Sequence, residues 1–372
     1  MLPPTLKQPP KVTKVYVIGE GLLTPLGDSP QGVLEAVRAG KSAIREYPGW
    51  PEPYMASLLE RSGREHPSFF DHIALQAGQR ALEAAGTDPA NPRTGLVLST
   101  IKGNVEAIDN EDVSLAVQAE RLAAGLGIST PPVVVSNACI SGLAALVQGM
   151  RMIRSGACDK VLVVGAEIQS RFIVSGFQSL KALSPSPCRP FDAARDGLNL
   201  GEAAAAVVLS KTPVSDDAWE LVEGCIRNDA NHISGPSRTG EGSYKALRAV
   251  LKHCTREELA FVNVHGTATR YNDEMETIAL TRAGLQDVPV NALKGCFSHT
   301  MGAAGILETI VSMHACEEGL VLPTKGFSQL GVSCPVAVSA QERSTQKRAF
   351  IKLLSGFGGI NGALLLRKGG GR

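Results

Sequence analysis

The sequence predicts an α/β protein whose strands are covered on both faces. Three runs, TGLVLS at 94–99, DKVLVVGAE at 159–167 and AAAAVVLS at 203–210, are largely apolar, and helical stretches separate them. Such continuous runs are typical of strands buried between two layers of helices. The chain has 372 residues, of which 44% are hydrophobic, so it can form one large domain or two ordinary ones.

Further strands are predicted on both sides of a boundary in the segment SKTPVSDDAW at 210–219. In the first half they are KVYVIG and PPVVVS. In the second half they are AWELVEGCI, AFVNVHG, PVNAL, CPVAVS and AFIKLLSGFGG. Because both halves have the same alternation of strands and helices, we predict two related domains, at 1–212 and 213–372.

Each half also has a reactive side chain directly before a helix rich in Gly and Ala. Cys139 lies in SNACISGLAALVQGMRMI, and His299 lies in SHTMGAAGILETIVSM. Small residues let two backbones approach closely, so we expect these helices to pack face to face and to bring Cys139 and His299 together. The alternative is that they are two ordinary amphipathic helices.

Composition and charge argue against several classes of protein. The formal net charge of +1 does not favour nucleic acid as the main partner. No apolar run reaches the roughly 18 residues of a membrane span, and the first residues show no apolar signal core. The eight cysteines form no CxxC pair, which predicts reduced thiols in a cytoplasmic protein, with neither a disulfide framework nor a metal site.

Cys139 is the strongest candidate nucleophile. It lies where an apolar run turns into a helix, a position that exposes backbone N–H groups and where the helix terminus is expected to lower the pKa of a thiol. The alternative is a buried structural cysteine. Five others are expected to be inert packing residues: Cys158, Cys225, Cys254, Cys316 and Cys334.

Two segments of the second half carry further polar groups. In VNVHGTATRYNDE, His265 ends an apolar strand and is followed by Thr267 and Thr269, which suits an elongated polar ligand better than a metal. A capping histidine with two strand-forming threonines is the alternative. In LKGCFSHTMGAAGILETI, we expect Lys294 and Glu308 to form an interior ion pair, because such groups are tolerated in a core mainly as partners.

A glycine-flanked turn near the C-terminus contains Phe357, in LLSGFGGINGALLL. Glycines permit backbone conformations in which the N–H of Phe357 points at a ligand, although a plain turn is equally compatible with this pattern.

Together these segments resemble the elongating β-ketoacyl-acyl carrier protein synthases of the thiolase superfamily. The resemblance runs along most of the chain, in the family's order. The matching segments are YVIGEGLLTPLGD, NACISG, CRPFDAARDGLNLGEAAAAVVL, NDANHISGP, HGTAT, KGCFSHTMGAAG and GFGGINGALLL. The resemblance implies the thiolase-like fold, a duplicated five-layer αβαβα architecture.

The resemblance also implies a role for each candidate residue. Cys139 would carry the acyl group, while His265 and His299 would stabilise the enolate formed when malonyl loses carbon dioxide. Lys294 and Glu308 would organise the site. The oxyanion hole would consist of the backbone N–H groups of Cys139 and Phe357, and Phe357 would gate entry. Four residues would contact the substrate or its phosphopantetheine arm: Thr267, Thr269, Phe177 and Gly358.

The reaction implied is a decarboxylative Claisen condensation with malonyl on an acyl carrier protein, in fatty-acid, aryl-polyene or other type II polyketide elongation. The enzyme itself would bind no cofactor or metal, since 4'-phosphopantetheine is carried by the acyl carrier protein. An acidic carrier needs basic residues to dock, and the candidates are Arg189, Arg61 and Arg64. We expect a homodimer, with a heterodimer with a chain-length-factor-like subunit as the alternative.

Three alternative functions are weighed against this one. A non-catalytic chain-length factor would lack the nucleophile, whereas Cys139, His265 and His299 are all present. A thiolase that uses coenzyme A would have a second cysteine near SGFGGINGA, where there is none. A Cys/His metal-binding protein is not supported by the spacing of these residues.

Overall fold

The computed structural model describes residues 12–48, 52–61, 68–109 and 113–370. The strands are β1 (Tyr16–Leu23), β2 (Arg45–Tyr47), β3 (Tyr54–Ser57), β4 (Thr94–Ser99), β5 (Val133–Val135), β6 (Lys160–Glu167), β7 (Leu200–Gly201), β8 (Ala203–Ser210), β9 (Trp219–Asn228), β10 (Leu259–Asn263), β11 (Val290–Asn291), β12 (Leu320–Val321), β13 (Arg343–Ser344), β14 (Ala349–Gly356) and β15 (Ile360–Lys368). The helices are α1 (Pro30–Arg38), α2 (Phe69–Ala84), α3 (Leu115–Leu126), α4 (Ser141–Arg154), α5 (Arg171–Ser179), α6 (Glu241–Val250), α7 (Arg270–Arg282), α8 (Lys294–Phe297) and α9 (Ala304–Glu317).

Ten of these strands form one continuous array that contains the same five-stranded pattern twice. Its order is β11-β10-β14-β15-β9-β1-β8-β6-β4-β5. In each half, the five strands can be numbered 1 to 5 in the order in which they occur in the chain. Read from the outer edge of the sheet toward its centre, the strand order is then 3-2-4-5-1 in both halves. The two first strands, β1 and β9, pair antiparallel through Tyr16 and Glu220 and join the two sets. This shared topology shows that the fold is duplicated.

Helices cover both faces of each set of strands, in five layers. Helix α2 packs on β1, β6 and β8, and α6 packs on β9 and β15. Between the two sets lie α4, which contacts β4 and β6 on one side and β9 and β15 on the other, and α9, which contacts β8 and β14. Strands with helices on both sides need apolar residues on both faces, which explains the continuous apolar runs.

The two Gly/Ala-rich helices, α4 and α9, pack against each other at the centre of the molecule, as predicted. Their contact depends on glycine. A Cβ atom on Gly142 would lie 2.9 Å from the carbonyl oxygen of Gly302 and the amide nitrogen of Gly305, and one on Gly305 would clash with the backbone of Gly142 and Leu143. The small residues therefore allow a backbone approach that no larger side chain permits.

The predicted strands are confirmed except for one. The segment CPVAVS at 334–339 forms only an isolated bridge between Val338 and Val290. Pro335 has no N–H to donate to a ladder, which disfavours a regular strand there. The prediction missed β15, because its first residues, Ile360–Gly362, look like the end of the preceding glycine-rich turn.

The proposed division at 212 and 213 falls between β8 and β9. No observation tests that boundary, so it stays a prediction. Among the described residues, no helix is long and apolar enough to cross a bilayer.

Candidate active site

Cys139 lies in a tight turn between β5, which ends at Val135, and α4, which begins at Ser141. The turn is fastened by Ser141, whose hydroxyl accepts a hydrogen bond from the N–H of Asn137 at 2.7 Å and donates one to the carbonyl of Ala138 at 2.6 Å. Ala138 has a φ of 47°, in the left-handed region that non-glycine residues rarely adopt. This strained residue directs the Cys139 side chain toward the other half of the molecule.

The thiol of Cys139 is buried, and its pKa differs from the sequence-based expectation. Burial raises the pKa to about 11, although the positive charge of Lys294 and the backbone N–H groups of Phe357 and Cys139 act in the opposite direction. The expected low pKa is therefore wrong, because desolvation of the thiolate outweighs these favourable groups. The backbone N–H groups of Phe357 and Cys139 both face the Cys139 sulfur, and their role as an oxyanion hole stays a prediction.

His299 occupies the corresponding position before α9. The residue before it, Ser298, has a φ of 60°, so it is a non-glycine residue with a positive φ, like Ala138 in the first half. The His299 backbone is held by Asn199 and Gly201 through two hydrogen bonds of 2.8 and 3.0 Å. Its Nδ1 accepts a hydrogen bond from the N–H of Met301 at 3.2 Å, which places the proton of the neutral ring on Nε2. That buried Nε2 has no partner within the described part of the chain.

His265 follows β10 and is fixed through its backbone. The N–H groups of His265 and Gly266 each donate to the carboxylate of Glu276 at 2.7 Å. Gly266 has a φ of 50°, and a Cβ atom there would collide with Ala292, so only glycine fits this turn. The Nδ1 atom of His265 is buried without a protein partner among the described residues. Both histidines therefore present an unused ring nitrogen.

The structure brings Cys139, His265 and His299 into one cluster, with a ligating atom of each lying within 4.8 Å of the others. The two imidazole rings are 5.0 Å apart at an angle of 81°. Burial, followed by the positive charge of Lys294, lowers the pKa of both rings well below the ordinary value of 6.5, so both are neutral at pH 7. Sequence spacing argued against a metal here. The three side chains do converge, but the positive charges of two nearby buried lysines, Lys294 and Lys352, would repel a metal cation.

Behind the histidines lies a buried ion cluster. Lys294 donates to Glu308 at 2.8 Å, which confirms the predicted pair, and also to the carbonyl of His265 at 2.6 Å. The other oxygen of Glu308 binds Lys352, which the prediction missed. A lysine within the apolar strand segment AFIKLLSG was the available indication, because a charge in a buried strand needs a partner.

Three buried carboxylates were also missed. Glu276 holds the His265 turn, and Asp273 accepts hydrogen bonds from the N–H groups of Phe191 and Thr267. Glu167 accepts from the N–H groups of Ile101 and Gly302, both at 3.0 Å. Burial raises the pKa of Glu276 and Glu167 to about 7 and that of Asp273 to about 6. All three fix backbone next to the cluster.

A cavity of about 530 Å³ leads from the surface to Cys139, His265 and His299. Phe177 and Phe357 lie at its wall with their rings stacked 6.0 Å apart. Thr267 and Thr269 also line it, and their hydroxyls are 2.9 Å apart. The predicted substrate-contacting side chains therefore share this cavity. Gly358 does not line it. Its N–H donates to the carbonyl of Ile233 at 2.6 Å, which fastens the glycine-rich turn to a neighbouring loop.

The predicted docking arginines have different environments. Arg189 is exposed. Arg61 binds the buried carboxylate of Glu202 at 2.8 Å and stacks on Phe69, so its guanidinium group is already engaged. Arg64 lies outside the described residues. Two exposed basic residues at the cavity, Lys181 and Arg270, were not predicted.

A thiol and two neutral imidazoles meet at the junction of two duplicated α/β halves, an arrangement suited to an enzyme that transfers an acyl group through a thioester. Models of the β-ketoacyl synthase N-terminal and C-terminal domains match residues 53–214 and 220–328. The chain belongs to the β-ketoacyl synthase family, which confirms the predicted family, fold and ketosynthase class.

Similar proteins come from both predicted pathways. The chain is 30% identical to the ketoacyl synthase alpha subunit of the tetracenomycin polyketide synthase of Streptomyces glaucescens, covering 95% of this chain and 97% of that protein. It is 28% identical to 3-oxoacyl-[acyl-carrier-protein] synthase 2 of Vibrio cholerae, covering 95% and 99%.

Solved structures agree in fold. A β-ketoacyl synthase from Burkholderia phymatum matches with a TM-score of 0.86 at 25% identity, covering 96% of this chain and 99% of that one. A ketosynthase of Xenorhabdus doucetiae, solved in complex with its chain length factor, matches with a TM-score of 0.85 at 25% identity, covering 98% and 100%.

Proposed function

We propose that the chain condenses an acyl group held on Cys139 with malonyl held on an acyl carrier protein, and that His265 and His299 stabilise the enolate. The observation that supports this most strongly is the cluster of one thiol and two neutral imidazoles at the end of an open cavity. Neutral rings can donate N–H bonds to a developing oxyanion without contributing a proton, and removing one such donor typically costs about 10²- to 10³-fold in rate.

The reaction balances with these groups and one proton, which the Cys139 thiolate takes up from water in the last step. The Cys139 sulfur attacks the acyl thioester, the carrier's sulfur leaves, and the thiol proton of Cys139 passes to it. In malonyl-carrier, the bond between Cα and the carboxylate breaks and carbon dioxide leaves. The electron pair becomes an enolate, whose oxygen accepts hydrogen bonds from His265 and His299. The enolate carbon then attacks the acyl carbonyl, and Cys139 leaves as a thiolate that takes up a proton.

The high pKa of Cys139 fits this sequence of steps. A thiol that keeps its proton at pH 7 can release that proton to the departing carrier sulfur as its own bond to the acyl carbon forms. The backbone N–H groups of Cys139 and Phe357 would hold the thioester oxygen in both carbonyl additions. Lys294 and Glu308 would fix the position of His265.

The partner implied is an acyl carrier protein, whose phosphopantetheine arm would enter the cavity between Thr267 and Phe357. The enzyme itself would need no resident cofactor. Lys181 and Arg270 at the cavity, with Arg189, offer basic groups to an acidic carrier. We expect a homodimer in the cytoplasm. The solved complex of a similar ketosynthase with its chain length factor supports keeping a heterodimer as the alternative.

Intact-mass spectrometry after incubation with acyl-carrier proteins tests this proposal. Saturated, unsaturated and aryl primers are offered to the native protein, to Cys139→Ala, and to Cys334→Ala, which removes the one half-exposed cysteine. We expect a single acyl adduct on the native protein and on Cys334→Ala, and none on Cys139→Ala. No adduct from any primer would overturn the proposal and favour a non-catalytic chain-length factor.

A further inference from the structure

Lys352 is fully buried in the middle of β14, and all of its donors are used. Its ammonium group donates to Glu308, to the side-chain carbonyl of Asn263 at 2.6 Å and to the backbone carbonyl of Val264 at 3.3 Å. Three acceptors for three N–H groups is a complete set for a lysine. The surroundings are therefore built to hold this residue in its charged form.

The charges around Lys352 do not cancel. Glu308 binds Lys294 through one oxygen and Lys352 through the other, so a single buried carboxylate faces two buried ammonium groups. Glu276 from α7 and the rings of His265 and His299 also face them, and the thiols of Cys139 and Cys188 face Lys294. Glu276 already receives two backbone N–H groups, and burial raises its pKa to about 7. An excess of positive charge therefore lies directly behind the two histidines.

An uncompensated buried charge is costly, and one lysine would suffice to pair Glu308. Lys352 cannot be explained as a counterion alone. Its contacts instead point to the active site, because Val264 immediately precedes His265. Lys352 binds the carbonyl of Val264 while Lys294 binds the carbonyl of His265, so two lysines hold consecutive peptide groups at the point where the imidazole leaves the backbone.

We propose that Lys352 is a positioning residue that holds the His265 segment from behind and supplies an excess positive charge toward the enolate. This inference rests on the proposed function. A fixed positive charge in a water-poor site favours the state in which negative charge develops on the substrate. The same charge repels a proton from both imidazoles, which keeps them in the neutral, hydrogen-bond-donating form.

The pH dependence of this charge has a definite direction. Burial, opposed by the attraction of Glu308, lowers the pKa of Lys352 to about 8. Lys352 is therefore charged below about pH 8 and loses its charge above it. The decarboxylation of malonyl-carrier by the native enzyme should fall as pH rises through about 8.

The test compares three variants by the rate of malonyl-carrier decarboxylation between pH 5.5 and 9.5, read from the mass of the acetyl-carrier formed. Lys352→Met removes both charge and donors, and it leaves Glu308 and Lys294 as a balanced pair. Lys352→Gln removes the charge but keeps two N–H donors. Lys160→Met is the matched control, because Lys160 is a half-buried strand lysine that binds only Thr87 in the described structure.

We expect both Lys352 variants to decarboxylate malonyl-carrier about 10- to 100-fold more slowly at pH 7. This is the usual loss when a residue that orients a functional histidine from behind is removed, as measured for histidines that bind metals. The rates of both variants should no longer fall near pH 8. Lys160→Met should keep the native rate and profile. A residue with a merely structural role would change the rate without removing the dependence on pH.

The inference is overturned if Lys352→Gln folds and keeps both the native rate and the fall near pH 8. If both Lys352 variants fail to fold, the pH profile of the native enzyme still tests the inference. A native decarboxylation rate that stays level from pH 7 to 9 contradicts it. Failure of the proposed function is separate, since a native protein that neither forms an acyl-Cys139 adduct nor decarboxylates malonyl-carrier overturns both.

Discussion

The two halves of the protein have the same topology but contribute unequally to the active site. In each half a non-glycine residue in the left-handed conformation, Ala138 or Ser298, precedes the functional side chain, and a Gly/Ala-rich helix follows it. Of the three clustered side chains the first half supplies only Cys139, although Phe177 and Lys181 of this half also line the cavity. The second half supplies His299, and also His265 with the charged residues behind it. Duplication thus reproduced the scaffold, while the side chains on it diverged.

Burial shifts the pKa values of the functional groups in the two halves in opposite directions, upward for the thiol and downward for the imidazoles. Around Cys139 burial has the largest influence on the thiol pKa and outweighs Lys294 and the N–H groups of Phe357 and Cys139, so the thiol keeps its proton. Around the histidines burial again acts most strongly, and the ammonium groups of Lys294 and Lys352 add to it, so both imidazoles are neutral at pH 7. We propose that one half carries the acyl group and that the other stabilises the developing negative charge.

Substituting the functional residue of one half at a time should separate acylation from decarboxylation. This is the largest effect that we expect. Cys139→Ala should form no acyl adduct but should still decarboxylate malonyl-carrier, because the histidines are intact. His299→Ala should form the adduct but should lose about 10²- to 10³-fold in decarboxylation, the usual cost of removing one oxyanion donor. Intact-mass spectrometry measures both activities in the same samples.

Cys158→Ala and His253→Ala are the matched controls for this separation. Cys158 is a buried thiol remote from the cavity, and His253 is an exposed imidazole. Both variants should behave like the native protein. If Cys139→Ala loses decarboxylation together with acylation, the division of labour between the halves is wrong.

The pH dependence of Cys139 alkylation tests the first half alone. With the pKa raised from 9.0 to about 11, the thiolate fraction rises about tenfold for each pH unit up to that value. The rate of iodoacetamide labelling at Cys139, taken as the difference between the native protein and Cys139→Ala, should still be rising at pH 9.5. A plateau below pH 9 would instead support activation of the thiol by the terminus of α4.

Gly305→Ala tests the contact between the halves, and we expect the smallest effect from it. The added methyl group meets the backbone of Gly142 and Leu143, which cannot rotate away. We expect a loss of about 1–3 kcal/mol in the free energy of unfolding, the usual cost of overpacking a core. Denaturant titration measures this loss.

Gly176→Ala is the control for that substitution, because Gly176 lies in helix α5 with open space around it. It should be neutral or stabilise the protein by up to about 1 kcal/mol. Equal stability of Gly305→Ala and Gly176→Ala would show that the helices α4 and α9 can separate at little cost.

Most of the fold followed from patterns that are local in the sequence. Apolar runs predicted the strands, and the Gly/Ala-rich segments after Cys139 and His299 predicted two closely packed helices. Two errors in the strand prediction also arose from local features of the sequence. Pro335 removed a donor from an otherwise strand-like segment, and the glycines near Phe357 concealed the start of β15.

The residues of the candidate site also divide into those that the sequence indicated and those that it did not. Motif order indicated Cys139, His265 and His299, because each lies at an element boundary with a recognisable flanking sequence. Lys352 and Glu167 were missed, because the groups that each contacts lie far away in the chain. Glu308 and Lys352, for example, are 44 residues apart. Glu276 was missed although its partners His265 and Gly266 are only 11 and 10 residues away.

The sequence by itself determined which side chains are chemically able to act and which elements carry them. Only the tertiary structure decided their protonation states. Burial makes the Cys139 thiol harder to ionise, while the charges of Lys294 and Lys352 add to burial in keeping His265 and His299 neutral. The physical reason is that a pKa depends on the solvent removed and on the charges brought near by folding, and neither is a property of neighbouring residues in the chain.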